Sequence, residues 1–125
     1  MIDAMFEKAV DVAIKNSKDY RHRLGAVIFK RGTIISTGWN QAKTHPLQAK
    51  FKDRPQKDYL HAEVHGVVRG LRCRSLLGCS IVVVRVLRNN SFGSSFPCPG
   101  CLACLNEVGI KHIVYYDDGI KEVWL

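Results

Sequence analysis

Pro97-Cys98-Pro99-Gly100-Cys101-Leu102-Ala103-Cys104-Leu105-Asn106-Glu107-Val108-Gly109-Ile110-Lys111-His112-Ile113-Val114-Tyr115-Tyr116 reads as a turn, a helix and a strand in succession. The proline before Cys98 and the two-residue spacer to Cys101 fit a turn that opens a helix over about 98–108. Free backbone N–H groups at such a helix start favour thiolate over thiol. Gly109 closes the helix, and Lys111 to Tyr116 is β-prone. Asp117-Asp118-Gly119 then carries the Asp-Gly signal of a tight hairpin, so Ile120 to Leu125 is predicted to run back antiparallel.

Working toward the N-terminus, Cys79 to Leu87 is an almost unbroken apolar run centred on Ile81-Val82-Val83-Val84. Such a run predicts a strand buried on both faces. Residues 88–97 hold Asn, Ser, Gly and Pro and read as a loop. Residues 62–72 look helical. From Gly38 to Tyr59 the chain is polar, contains Pro46 and Pro55 and has no clean period, which predicts a long loop of the kind that usually carries function. Leu24 to Phe29 and Thr33 to Thr37 are β-prone and separated by Lys30-Arg31-Gly32, a predicted hairpin. Ile2, Met5, Phe6, Ala9, Val10 and Ala13 recur at three- and four-residue steps, the stripe of an amphipathic helix packed on a sheet. The order is α-β-β-α-β-α-β-β, an α/β chain with a mixed five-stranded sheet, helices over its faces and the last two strands antiparallel.

The 125 residues read as a single domain, 1–125. The first residues carry Asp3, Glu7, Lys8 and Asp11 and lack the apolar run of a signal peptide, and no segment reaches membrane-spanning length. Cytoplasmic residence with no membrane partner is the expectation. Of five cysteines, two belong to the motif. Cys73, Cys79 and Cys104 are expected to be reduced, small residues in or near the core. A net charge of +8 biases the chain toward a polyanionic partner or substrate. Lys43, Lys50, Lys52, Arg54 and Lys57 crowd the segment before His61, opposed by Asp53 and Asp58, and Arg69, Arg72 and Arg74 follow. That clustering suits a nucleotide phosphate, a nucleic-acid backbone or a solvated face.

His61-Ala62-Glu63 gives the cysteine motif its meaning. A Cys-x-x-Cys pair by itself also serves redox dithiols and structural zinc knuckles. The redox reading explains neither His61 nor Glu63. A closed structural site would need a fourth ligand such as Cys104, and would leave Glu63 without a role. His61 and His65 stand four apart, but residue 62 is alanine, so the metalloprotease pattern fails. One imidazole and two thiolates from His61, Cys98 and Cys101 instead hold Zn2+ with a fourth position left for water, whose pKa the metal lowers. Glu63, near a ligand without being one, can take a proton from that water and pass it to a ring nitrogen and then to departing ammonia.

The Leu24-Gly25-Ala26-Val27-Ile28 strand, Ile34-Ile35-Ser36-Thr37-Gly38-Trp39-Asn40, the His61-Ala62-Glu63 helix start and Pro97-Cys98-Pro99-Gly100-Cys101 through Gly109-Ile110-Lys111 resemble the cytidine and deoxycytidylate deaminase superfamily. They look most like its deoxycytidylate branch, small phage-type members included. The resemblance covers nearly the whole chain and implies a three-layer α/β/α fold. It also implies zinc ligands His61, Cys98 and Cys101, a proton shuttle at Glu63, Asn40 near the sugar and backbone around Ala26 and Ala62 at the base. Trp39 and Pro97 complete the implied substrate-contacting set. Three departures stand out. Typical deoxycytidylate deaminases carry a helix between the last two strands, for which the residues after Ile113 leave no room, and the short ending looks like the free-cytidine branch. Phe96 stands where relatives commonly have a small polar or acidic residue. Gln41 to Leu60 lacks the additional zinc ligands of some members, and His45 reads as a loop residue.

The leading expectation is hydrolytic deamination of a cytosine nucleotide or nucleoside, deoxycytidylate or deoxycytidine favoured. The nearest alternative is a deaminase acting on cytosine or adenine in single-stranded DNA or RNA, with Trp39, Phe51, Tyr59 and Phe92 as candidate stacking platforms. A third, of another class, is a catalytically silent zinc module that binds nucleotides or partner proteins. A homo-oligomer is compatible with all three.

Overall fold

The apolar run at the centre of the chain divides the core in two. In the computed structural model, which describes residues 1–18, 22–43, 45–51 and 60–125, this run is strand β3 (Ser80–Leu87). Its neighbours are β1 (His22–Lys30), which pairs antiparallel with it, and β5 (His112–Tyr116), which pairs parallel. Because side chains alternate across a strand, Val82, Val84 and Val86 join Val27 and Phe29 on one face. Ile81 and Val83 join Ala26 and Ile28 on the other. A Val or Ile removed from water in this way contributes about 1.5–3 kcal/mol, so β3 stabilises both layers at once.

Helix α1 (Ile2–Asn16) covers the first face with Met5, Phe6, Ala9 and Ala13, while Ile2 and Val10 lie partly buried at its margin. The second face is covered by α3 (Ala62–Leu71) through Val64 and Val67 and by α4 (Pro99–Glu107) through Cys101, Cys104 and Leu105. The result is the expected three-layer α/β/α arrangement. Two glycines allow the helices to come this close. A Cβ at Gly25 would collide with the Ala9 carbonyl of α1, and one at Gly38 with the Ala62 carbonyl and Gly66 nitrogen of α3. Ala26 pairs with Gly38 across β1 and β2 (Thr33–Trp39), so the two close approaches lie side by side on opposite faces.

The sheet order is β2-β1-β3-β5-β6, with β6 (Ile120–Trp124) antiparallel to β5 as the Asp-Gly signal predicts. Positive φ at Asp118 and Gly119 makes that turn, and Arg31 and Gly32 make the first hairpin in the same way. Gly109, at φ +89, ends α4 where expected.

The structure departs from the sequence reading in four places. A sixth strand, β4 (Phe92–Gly93), pairs with β3 through Arg85 and Val86 inside the expected 88–97 loop. The long polar segment holds a six-residue helix, α2 (Pro46–Phe51), and an isolated bridge between Gln41 and Leu60. Strand β1 extends to the polar His22 and Arg23 that the apolar pattern left out. Cys79 and Cys104 are buried free thiols as expected, but Cys73 is exposed, because it lies beyond the end of α3 rather than on its packed face. Lys52, Asp53, Arg54, Pro55, Lys57, Asp58 and Tyr59, singled out above, lie outside the described residues. No helix among the described residues is long and apolar enough to cross a membrane.

Candidate active site

Two helix starts meet on the α3/α4 face. His61 is the N-cap residue of α3 and Cys98 the N-cap residue of α4, with Cys101 in the first turn after it. Each approach is tied down by buried polar groups. Before α3, Gln41 and Leu60 exchange backbone hydrogen bonds, and the His61 N–H donates to Gln48 Oε1 at 2.9 Å. Before α4, the buried Ser95 donates from Oγ to the Val83 carbonyl, accepts from the Tyr116 N–H and donates its own N–H to the Tyr116 carbonyl. The loop into Pro97 is thus fastened across β3 and β5, and Pro97 itself is buried.

The consequence is convergence of side chains distant in sequence. His61 Nδ1 stands 3.2 Å from Cys101 Sγ and 3.6 Å from Cys98 Sγ. The three potential ligand atoms lie within 4.8 Å of one another, and no other His, Cys, Asp or Glu among the described residues joins the group. Tetrahedral zinc with metal–ligand bonds of about 2.0–2.3 Å needs ligand atoms roughly 3.5 Å apart, so this donor set fits that ion. Cys104, one helical turn further on, is buried in the core, where burial pushes its thiol up to about 11. The two motif cysteines share one charge. The Cys101 thiol, then His61 and the Cys101 backbone N–H, hold Cys98 down at about 4 despite its burial. Cys101 is pushed up, first by its bond to Cys98 and then by desolvation. A cation placed between them would relieve that competition.

Glu63 follows in the first turn of α3 and is 3% exposed. Desolvation raises its pKa above the usual carboxylate range, offset in part by its own backbone N–H and by His61. Its Oε1 is buried with no hydrogen-bond partner among the described residues. An orphaned carboxylate oxygen beside a three-ligand cluster is costly unless a ligand or water completes it, which is a second observation that the centre is built to take up a further group.

Beside the cluster lies a cavity of about 870 Å³, lined by His61, Trp39, Asn40, Leu24, Lys18 and Lys43 among others. Of the substrate-contacting residues expected from sequence, Trp39 and Asn40 reach this wall. Ala26 and Ala62 are fully buried in the core layer on the same face. Asn40 is engaged by the protein: Oδ1 accepts from Ser17 Oγ at 2.6 Å and from the Leu24 N–H at 3.0 Å, and Nδ2 donates to the His22 carbonyl. It therefore builds the wall by joining the end of α1 to β1 and β2. Trp39 is placed by His65, whose Nδ1 accepts the Trp39 N–H at 3.1 Å and whose ring meets the indole edge-on, with Arg69 over the indole. Burial, then Arg69, hold His65 down at about 4, so it remains a neutral acceptor. His45 accepts the Leu47 N–H at the start of α2, a loop role as expected.

Among the described residues the other candidate aromatics, Phe51 and Phe92, have packing partners, as does Phe96. Phe92 sits against Phe6 and Tyr116, Phe96 against Tyr115, and Phe51 at the margin of the α3/α4 core under Lys50. Gln48, Ser95 and His65 carry no site signal in the sequence, because a single polar side chain has no spacing signature.

Residues 1–117 match the family described as the cytidine and deoxycytidylate deaminase zinc-binding region. The chain belongs to this deaminase family. The protein named "Uncharacterized deaminase in luxG 3'region" from Aliivibrio fischeri is 32% identical over 100 residues, 78% of this chain and 60% of that protein. The chain thus spans about three fifths of the length of that curated relative. In structure it is similar to the dCMP deaminase of cyanophage S-TIM5, with TM-score 0.60 and 21% identity over 87% of this chain and 76% of that one. It is also similar to the cytidine deaminase of Burkholderia pseudomallei, with TM-score 0.70 and 16% identity over 99% of this chain and 92% of that one. These likenesses establish the deaminase fold, and the family defines the centre as a zinc-binding one.

Proposed function

We propose that this chain hydrolyses the exocyclic amino group of a cytosine nucleotide, deoxycytidylate foremost, giving the uracil nucleotide and ammonia. The observation that carries the proposal is the buried, unpartnered Glu63 Oε1 beside the cluster of His61, Cys98 and Cys101, of which His61 lines the cavity. His61, Cys98 and Cys101 would hold the zinc and Glu63 would stay outside its ligand set. Zinc, when bound, supplies a Lewis acid that makes water a nucleophile near neutral pH.

The remaining work belongs to the protein. As a C–O bond forms at C4 of the base, Glu63 takes the proton released by water and gives it to N3. It then moves a proton to the amino nitrogen as the C–N bond breaks and the carbonyl forms. A carboxyl lifted by burial is suited to both directions of transfer. Asn40 has one remaining Nδ2 hydrogen to offer a sugar hydroxyl. Trp39 and Pro97, with the backbone at Ala26 and Ala62, would shape the space for base and sugar.

Lys18 and Lys43 on the cavity wall favour a phosphorylated substrate over a nucleoside. The cyanophage neighbour was solved with dCMP and dUMP, which supports the same class. The test is incubation of the zinc-loaded chain with dCMP, CMP, deoxycytidine, cytidine and a cytosine-containing oligonucleotide, read for ammonia and uracil. Release from the free nucleotides supports the proposal. Release from the oligonucleotide alone, or from none of them, overturns it.

A further inference from the structure

Gln48 occupies an unusual place for an amide. It lies on the six-residue α2, inside a segment with no periodic pattern, yet it is 2% exposed and carries no charge partner. Its Oε1 accepts the backbone N–H of His61, the residue that caps α3 and points Nδ1 at both thiols. Leu60, one residue earlier, is held by backbone bonds to Gln41 and Lys43. Residues 60 and 61 are therefore gripped from two sides, by main chain at 60 and by the Gln48 side chain at 61.

Building on the metal centre proposed above, we infer that Gln48 is a positioning residue that sets His61 for zinc through its backbone. An N-cap residue has extended dihedrals, with φ −76 and ψ 153 at His61, and no helical bond to its own N–H. Without the Gln48 acceptor that N–H loses the bond that ties it to α2, and the backbone at residue 61 is free to turn. Rotation there swings the imidazole away from Cys98 and Cys101, because the side chain is carried on the same α-carbon. The short helix packs against both α3 and α4, so Gln48 couples its placement to the two helix starts that carry the ligands. Partners that orient metal ligands typically alter metal affinity by about 10- to 100-fold when removed. A partner acting on backbone should fall near the lower end.

The test compares zinc affinity, by competition with a chromophoric chelator, across four proteins that each carry all 125 residues. Gln48→Met fills the same unbranched volume without a strong acceptor and is expected to bind zinc about tenfold more weakly. Gln48→Glu restores an acceptor oxygen and is expected to recover most of the loss. Val67→Ala, which opens the core contact of α3 away from residue 61, controls for loss of stability and is expected to lower the melting midpoint with zinc affinity unchanged. Zinc binding by Gln48→Met as tight as that of the unsubstituted chain overturns the inference, even if its melting midpoint falls. Equal weakening by Val67→Ala overturns it too, since Gln48 would then act only through stability. No zinc binding by the unsubstituted chain would instead overturn the metal centre itself.

Discussion

His61 Nδ1 and Cys101 Sγ, 40 residues apart in sequence, stand 3.2 Å from each other at the starts of two different helices. Neither helix alone holds more than part of the donor set, so the centre exists only when the α3/α4 layer is packed. Removing either member should therefore remove the metal without unfolding the chain, because the many apolar contacts of α1, α3, β1 and β3 remain in the core. His61→Ala and Cys101→Ser are expected to purify with far less than one zinc per chain, against one for the unsubstituted protein, with unchanged far-ultraviolet circular dichroism. Full zinc content in either variant would count against the assignment.

Lys18 and Lys43 offer the cavity two cations. A hydrogen bond to a charged group contributes about 1.5–3 kcal/mol. Lys43→Ala and Lys18→Ala should each lower kcat/KM for dCMP by about tenfold or more, while leaving kcat/KM for deoxycytidine nearly unchanged. Equal losses on nucleotide and nucleoside would show that neither lysine reads the phosphate.

Gly38 and Gly66 face one another but differ in what a methyl group would meet. At Gly38 it would strike the backbone of α3 at Ala62 and Gly66, whereas at Gly66 it would lie 3.4 Å from Ile28 Cδ1. Gly38→Ala should cost about 3 kcal/mol or more in chemical denaturation and weaken zinc binding, since α3 carries His61. Gly66→Ala should stay within about 1 kcal/mol, aided by its better helix propensity. The reverse order would refute this packing geometry.

His65 supplies a pH dependence whose sign follows from burial. Folded His65 is held down at about 4, while an unfolded histidine titrates near about 6.5. Between these values the unfolded chain binds the extra proton. The stability this group contributes is therefore complete above about 6.5 and is lost as pH falls toward 4. Denaturation of the unsubstituted chain and His65→Gln, both with chelator present, should show their stability difference shrinking as pH drops from 7 to 4. A difference independent of pH would contradict the neutral, accepting His65.

Much of this is legible in the sequence. The stripe at Met5, Phe6, Ala9 and Ala13 is long enough for its period to declare a helix. Ile81 to Val84 can be buried on both faces only in a central strand, and Asp118-Gly119 needs little beyond its own backbone preference to turn the chain. The zinc motif was legible for a different reason, that metal chemistry restricts donor types and spacings. What escaped was held by tertiary contact. Helix α2 is too short to have a period, β4 is two residues paired with Arg85 and Val86, and the tethers made by Gln48 and Ser95 come from single side chains. Asn40 stands in the sequence as an expected sugar contact, and its bonds to Ser17, Leu24 and His22 appear only once α1, β1 and β2 are assembled.

Glu63 is the residue on which the account turns, because it is buried beside the metal ligands without being one of them. The most direct measurement is ammonia release from dCMP by zinc-loaded Glu63→Gln alongside zinc content. The variant is predicted to keep one zinc per chain and lose about 10²–10⁴-fold in turnover, since the amide fills the same space but cannot carry the proton. Turnover equal to that of the unsubstituted chain at full zinc occupancy would contradict the account.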